Sequence, residues 1–161
     1  MTFRNVFKVK RSFQREHPET LIIRCSDGRF TVPVADLMAH KGYQSYDTLA
    51  IPGGPALLDM SGSSISDTES VRSSTRFLIR GHHTQRVFLI AHVSCGYYQK
   101  RMTGQPDNKV LSQQIKDLQC SAAWIRRENP QIQVEAYFIY PQNGDIEFCE
   151  LEIDPKINPV M

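Results

Sequence analysis

Residues 86–91, Arg-Val-Phe-Leu-Ile-Ala, form an almost unbroken apolar run, and it stops abruptly at His92-Val93-Ser94-Cys95-Gly96. A run this short and this apolar fits a strand covered on both faces, and such strands belong to parallel sheets sandwiched by helices. Leu21 to Arg24 has the same form and stops at Cys25-Ser26-Asp27-Gly28-Arg29. The segments around these two runs alternate in type. Thr31 to Lys41 predicts a short helix, with Thr31 as its cap, Pro33 in its first turn and Gly42 past its end. Ser45 to Ile51 predicts a strand, closed by Pro52-Gly53-Gly54-Pro55. Asp59 to Ser66 is a Ser/Gly-rich loop, and Ser66-Asp67-Thr68-Glu69 has the form of a capping box. The helix it opens should run to about Arg80 and stop at Gly81. Between Asn108 and Arg127, Leu111, Ile115, Leu118, Ala122 and Ile125 recur on one helical face, and Asn129-Pro130 ends that helix. Gln133 to Tyr140 predicts another strand, which Gly144 separates from a last one at Asp145 to Ile153. Together these predict an α/β fold: an open sheet with a parallel core of about four strands, helices on both faces and an antiparallel edge strand at the C-terminus. Such sheets bind ligands beyond the carboxyl ends of their strands, where strand order reverses. If the first and third strands are neighbours, the turns at Cys25 and His92 face each other there.

The chain has 161 residues, 40% of them hydrophobic and 22% charged. That suits one soluble domain over residues 1–161, with residues 1–20 as an N-terminal arm. A chain this long buries enough core to need no disulfide staples. The net charge is only +2, with scattered basic residues, and nothing in the pattern suggests a nucleic-acid surface. No apolar run is long enough to cross a bilayer, and Met1 to Gln14 has no apolar core of the kind a secretory signal needs. The expected location is cytoplasmic. In a reducing compartment Cys25, Cys95, Cys120 and Cys149 read as metal ligands, nucleophiles or small buried residues rather than bridges.

His92 and Cys95, two residues apart within one turn, can grip a single ion. Cys25 from a facing turn would complete a set of two thiolates and one imidazole. Structural zinc sites are normally closed by four protein ligands, whereas three with a vacant fourth position mark a catalytic one. Asp27 and Arg29 follow Cys25 at steps of two, so on an extended turn all three side chains point the same way. Asp27 could orient a water at the metal or take the fourth position itself. Arg29 could hold Asp27 off the metal in a bidentate fork. The plain alternatives are a helix-entry turn with a buried thiol for His-x-x-Cys, and an Asx-turn with a solvated arginine for Asp27 and Arg29.

The paired motifs Cys25-Ser-Asp27-Gly-Arg29 and His92-Val-Ser-Cys95-Gly96 resemble those of the β-class carbonic anhydrases. That family's signature is Cys-x-Asp-x-Arg followed some tens of residues later by His-x-x-Cys. The resemblance spans roughly Leu21 to Tyr140. It implies a Zn2+ cofactor on Cys25, His92 and Cys95, with Asp27 and Arg29 as the catalytic dyad, gating and orienting. It implies a zinc hydroxide that attacks carbon dioxide to give bicarbonate, and a homodimer or higher homo-oligomer. The sequence departs from the family after the second strand, where an Arg-Asn-Ala-Gly-like loop gives way to Ile51-Pro52-Gly53-Gly54-Pro55. Gly53 and Gly54 could bring backbone N–H groups to a bound anion as substrate-binding residues, or could simply make a turn with positive φ.

Two other functions fit the same scaffold: a zinc- or bicarbonate-binding protein without turnover, and a hydrolase of a related small molecule such as carbonyl sulfide. Cys95 to Arg101 also has the Cys-x5-Arg spacing of thiol phosphatases, although Gly-Tyr-Tyr-Gln-Lys suits a helix start better than an anion loop. Tyr97 and Tyr98 could line a pocket or pack. Cys120 and Cys149 read as packing residues, Trp124 as a helix-to-sheet anchor, and His40, His82 and His83 as helix-end residues.

Overall fold

The computed structural model of the protein describes residues 4–60 and 63–157. Residues 4–19 have no regular structure. The elements then follow as β1 (Thr20–Cys25), α1 (Thr31–His40), β2 (Asp47–Ile51), α2 (Ile65–Gly81), β3 (Arg86–His92), α3 (Gly96–Arg101), α4 (Asp107–Glu128), β4 (Gln133–Gln142) and β5 (Asp145–Leu151), with 3-10 turns at Gly28–Phe30 and Gly54–Leu58. The sheet has the order β2-β1-β3-β4-β5. Its first four strands are parallel, and β5 returns antiparallel on β4. The expected α/β architecture is the one observed.

Both faces of the central strands are apolar, which hides their period of two in the sequence. Leu21, Ile23, Val87, Leu89, Val134 and Ala136 pack with residues of α2 and α4. Ile22, Phe88, Ile90 and Tyr137 turn to the other face and pack with Val34 and Met38 of α1. Leu21, Ile22 and Ile23 are all fully buried, and each such side chain contributes roughly 1.5–3 kcal/mol. Trp124 is buried in α4, with the guanidinium groups of Arg72 and Arg76 from α2 at 5.2 and 5.3 Å from its ring. It therefore anchors helix to helix as well as helix to sheet.

The helix starts differ from expectation. Thr31 is not a cap; α1 continues directly out of the Gly28–Phe30 turn, and Asp27 caps that turn by accepting the Arg29 N–H. The chain holds two overlapping capping patterns, Ser64-x-x-Asp67 and Ser66-x-x-Glu69, and the first is used. Ser64 Oγ accepts the Asp67 N–H at 3.1 Å, so α2 starts one residue before Ser66. Ser61 and Gly62 of the expected Ser/Gly-rich loop lie outside the described residues. Cys149 is exposed on β5 and is not a core residue, whereas Cys120 is buried. No helix among the described residues is long and apolar enough to cross a membrane.

Candidate metal centre

The parallel register of β1 on β3 sets Arg24 beside Ile90. It therefore delivers Cys25 to the turn that follows β3. Cys25 Sγ and Cys95 Sγ lie 3.7 Å apart. Those two atoms and a His92 ring nitrogen all fall within 4.8 Å of one another, the one such cluster of Cys, His and carboxylate groups among the described residues. His92 Nδ1 sits 2.8 Å from the Val93 carbonyl oxygen, an acceptor, so Nδ1 carries the proton. Nε2 is left with a lone pair, buried and without a hydrogen-bond partner. An orphaned buried nitrogen is costly unless something fills its place. A borderline-soft divalent ion suits it, because two sulfurs and one imidazole are a zinc donor set. A metal-binding histidine is commonly oriented through its other nitrogen, as His92 is here.

The contact between the two thiols shifts them in opposite directions. Cys25 is drawn below its ordinary range, chiefly by its contact with the Cys95 thiol; burial opposes this, and the His92 side chain and the backbone N–H groups of Asp27 and Gly53 reinforce it. The same contact and burial push the Cys95 thiol up. Ser94, between the two ligand positions, has φ 55°, a conformation a non-glycine residue holds only when its surroundings enforce it.

Asp27 and Arg29 form a fork. Arg29 Nη2 is 2.7 Å from Asp27 Oδ2 and Nε is 3.1 Å from Oδ1. Arg29 also donates its backbone N–H to Oδ1 at 3.0 Å. The Arg29 guanidinium holds the Asp27 carboxyl down at about 2. Asp27 Oδ2 is 4.0 Å from His92 Nε2, so the carboxylate borders the space that the two thiols and the imidazole enclose.

The glycine loop is built for close approach. Gly53 has φ +82° and Gly54 φ +55°, conformations that disfavour any other residue. A Cβ on Gly53 would lie 2.6 Å from the Tyr97 ring, and one on Gly54 would lie 2.6 Å from the Cys25 backbone nitrogen. The loop thus presses on the segment that carries Cys25 and aims the Gly53 N–H at its sulfur.

A family model described as "Putative carbonic anhydrase" matches residues 15–149. The chain belongs to this carbonic anhydrase family. No curated protein matches this carbonic anhydrase family member. Its fold is that of solved β-carbonic anhydrases. CafA of the fungal pathogen Aspergillus fumigatus shares 14% identity at a TM-score of 0.54, over 83% of this chain and 76% of its own. Isoform I of the protozoan Trichomonas vaginalis shares 15% at 0.54, over 88% and 87%. The structures of two tetrameric β-carbonic anhydrases from the ascomycete Sordaria macrospora align at 13% and 0.53, over 85% and 84%.

The remaining residues of this carbonic anhydrase family chain fall outside the cluster. Residues 96–101 after Cys95 form α3 rather than an anion loop, and Arg101 turns to Asp117 at 2.6 Å, which removes the phosphatase-like arrangement. Tyr98 is buried and Tyr97 half-buried. His82 caps α2, with Nδ1 2.6 Å from Asp47 and its ring stacked on His17. Sequence reasoning missed Phe30, whose ring centroid lies 4.5 Å from that of His92; no motif marks it. A groove of about 380 Å³ at the amino-terminal ends of β3 and β4, bordered by Thr84 and Ile132, holds no comparable group of side chains.

Proposed function

We propose that this chain catalyses the reversible, zinc-dependent hydration of carbon dioxide to bicarbonate. The observation that carries the reading is the buried, unpartnered His92 Nε2 beside two sulfur atoms 3.7 Å apart, in a chain of the carbonic anhydrase family. Cys25, His92 and Cys95 would hold the zinc. Bound zinc supplies Lewis acidity, which brings the pKa of a coordinated water to about 7 in carbonic anhydrases, the standard example of the effect. Asp27 stays ionised at any working pH because its carboxyl sits at about 2. It therefore serves as an acceptor that orients a water at the metal, not as a proton carrier. Arg29 keeps both Asp27 oxygens engaged and restrains the carboxylate from the fourth metal position. Gly53 offers its N–H to the Cys25 sulfur, and Gly53 and Gly54 would serve as the substrate-binding loop.

With this reading go a homodimer or larger homo-oligomer, in keeping with the tetrameric Sordaria structures, a single domain over residues 1–161 and a cytoplasmic location that keeps the free cysteines reduced. Sedimentation checks the assembly and cell fractionation the location. The function itself is tested by stopped-flow hydration with zinc-loaded protein. Turnover well above that of Cys25→Ala is expected, and equal rates overturn the proposal. Zinc-replete protein that hydrolyses carbonyl sulfide but leaves carbon dioxide untouched redirects it to the hydrolase. Bicarbonate binding without turnover at any pH redirects it to a binding protein.

A further inference from the structure

Helix α4 buries three polar residues along one stripe, Gln114, Asp117 and Ser121, exposed by only 2%, 1% and 0%. Their spacing of three and then four places them on one helical face. Each reaches a different one of the segments that meet at the cysteine–histidine cluster. Gln114 Nε2 donates to the His92 carbonyl at 2.8 Å. Asp117 takes the Tyr98 hydroxyl and Arg101 Nη1 on Oδ2, each at 2.6 Å, and Gln113 Nε2 on Oδ1 at 2.6 Å. Tyr98 and Arg101 belong to α3, the helix whose N-cap is Cys95. Cys95 is joined to that helix directly, its carbonyl accepting the Gln99 N–H at 3.0 Å, so wherever Asp117 pulls α3, Cys95 follows. Ser121 Oγ donates to the Pro55 carbonyl at 2.6 Å, inside the 3-10 turn that carries Gly54. Gly54 in turn lies against the Cys25 backbone nitrogen.

A buried polar side chain costs stability unless its bonds are made, and an apolar residue of the same shape serves packing as well or better. Three such residues in register, each tied to the segment of a different ligand, hold those segments at fixed mutual distance. We infer that Gln114, Asp117 and Ser121 are positioning residues, a rail on α4 that sets the separation of His92, Cys95 and Cys25 for metal binding. This rests on the zinc reading above.

Gln119 supplies the control. It is also buried on α4, but it is tied to the far end of the chain through the Glu152 carbonyl and the Asp154 N–H. The variants Gln114→Met, Asp117→Asn, Ser121→Ala and Gln119→Met are each compared with the parent. Zinc affinity is read by competition with a chromophoric chelator, and ligand geometry by the thiolate-to-metal absorption of the cobalt-substituted protein. Melting of the metal-free form corrects for stability. Ser121→Ala and Tyr98→Phe each remove only a hydroxyl and keep the test open if Asp117→Asn fails to fold. The expected result is zinc affinity about 10–100-fold weaker in the rail variants with an altered cobalt spectrum, while Gln119→Met melts lower but keeps both. Rail variants that match Gln119→Met in affinity and spectrum overturn the inference and leave the zinc reading intact. A parent chain that takes up no zinc overturns both.

Discussion

Asp27 and Gly53 mark two ways in which single residues set this site. Asp27 borders it as a fixed acceptor, held by the Arg29 fork. Asp27→Asn removes the charge and keeps the shape, so zinc uptake should persist while hydration falls about 10–100-fold, the usual scale for a partner just outside the metal ligands. Parallel metal analysis and stopped-flow rates check this; unchanged turnover counts against the dyad. Gly53→Ala adds two penalties at once, strain at φ +82° and a Cβ 2.6 Å from the Tyr97 ring. It should cost roughly 1–3 kcal/mol from the backbone conformation plus the clash. Adding Tyr97→Ala should return only the clash, leaving a partial rescue that chemical denaturation can resolve. The sequence showed Cys25, Asp27, Arg29, His92 and Cys95 as a group because their chemistry is tied to spacing within two turns. It could not show that Gly54 presses on the Cys25 backbone or that Phe30 lies against His92. Those contacts depend on how separate segments pack, and no local pattern records that.

At the level of elements, an unbroken apolar run marked β3, which is buried on both faces, and periodicity marked α4, which has one continuous apolar face. Helix starts were less legible. Two overlapping Ser-x-x-acid patterns precede α2, and local chemistry alone does not choose between them. The buried polar stripe of α4 was hidden for a related reason: polar residues flanking an apolar face look the same whether they meet water or protein. One further clamp is visible only in three dimensions. Lys41, just past α1, reaches Glu135 and the Tyr137 hydroxyl on β4, each at 2.8 Å. Glu135 raises the Lys41 ammonium pKa, with help from Tyr137. Burial alone would raise the Glu135 carboxyl, but its bonds from Lys41 and Tyr137 outweigh that and hold it below its ordinary 4.5. The Lys41 contribution is full below 10.5 and fades as pH climbs through the raised value, whereas the Glu135 contribution is full above 4.5 and fades as pH falls. Lys41→Met should therefore cost about 1.5 kcal/mol at pH 7, and the penalty should shrink steadily as pH is taken below 4.5 and Glu135 protonates. Urea titrations at a series of pH values from 7 downward check it, and a penalty that stays constant down to the acid unfolding of the parent contradicts the clamp.

For the molecule as a whole, a metal bound at the ends of two central strands stabilises every element packed on them. At zinc a thousandfold above its dissociation constant the gain is about 4 kcal/mol, which for a chain of this size raises the melting temperature by about 10 °C. Calorimetry before and after chelation should show that drop; coincident melting curves would mean that the folded state holds no tightly bound ion. The separation of Cys25 and Cys95, 70 residues apart in sequence yet side by side, has a kinetic consequence. β1 reaches β3 only after the chain has passed through α1, β2 and α2, and a loop that long closes slowly. A newly made chain thus has no nest of Cys25, His92 and Cys95 until the middle of the sheet has zipped shut, so on the zinc reading proposed above metal uptake follows folding rather than seeding it.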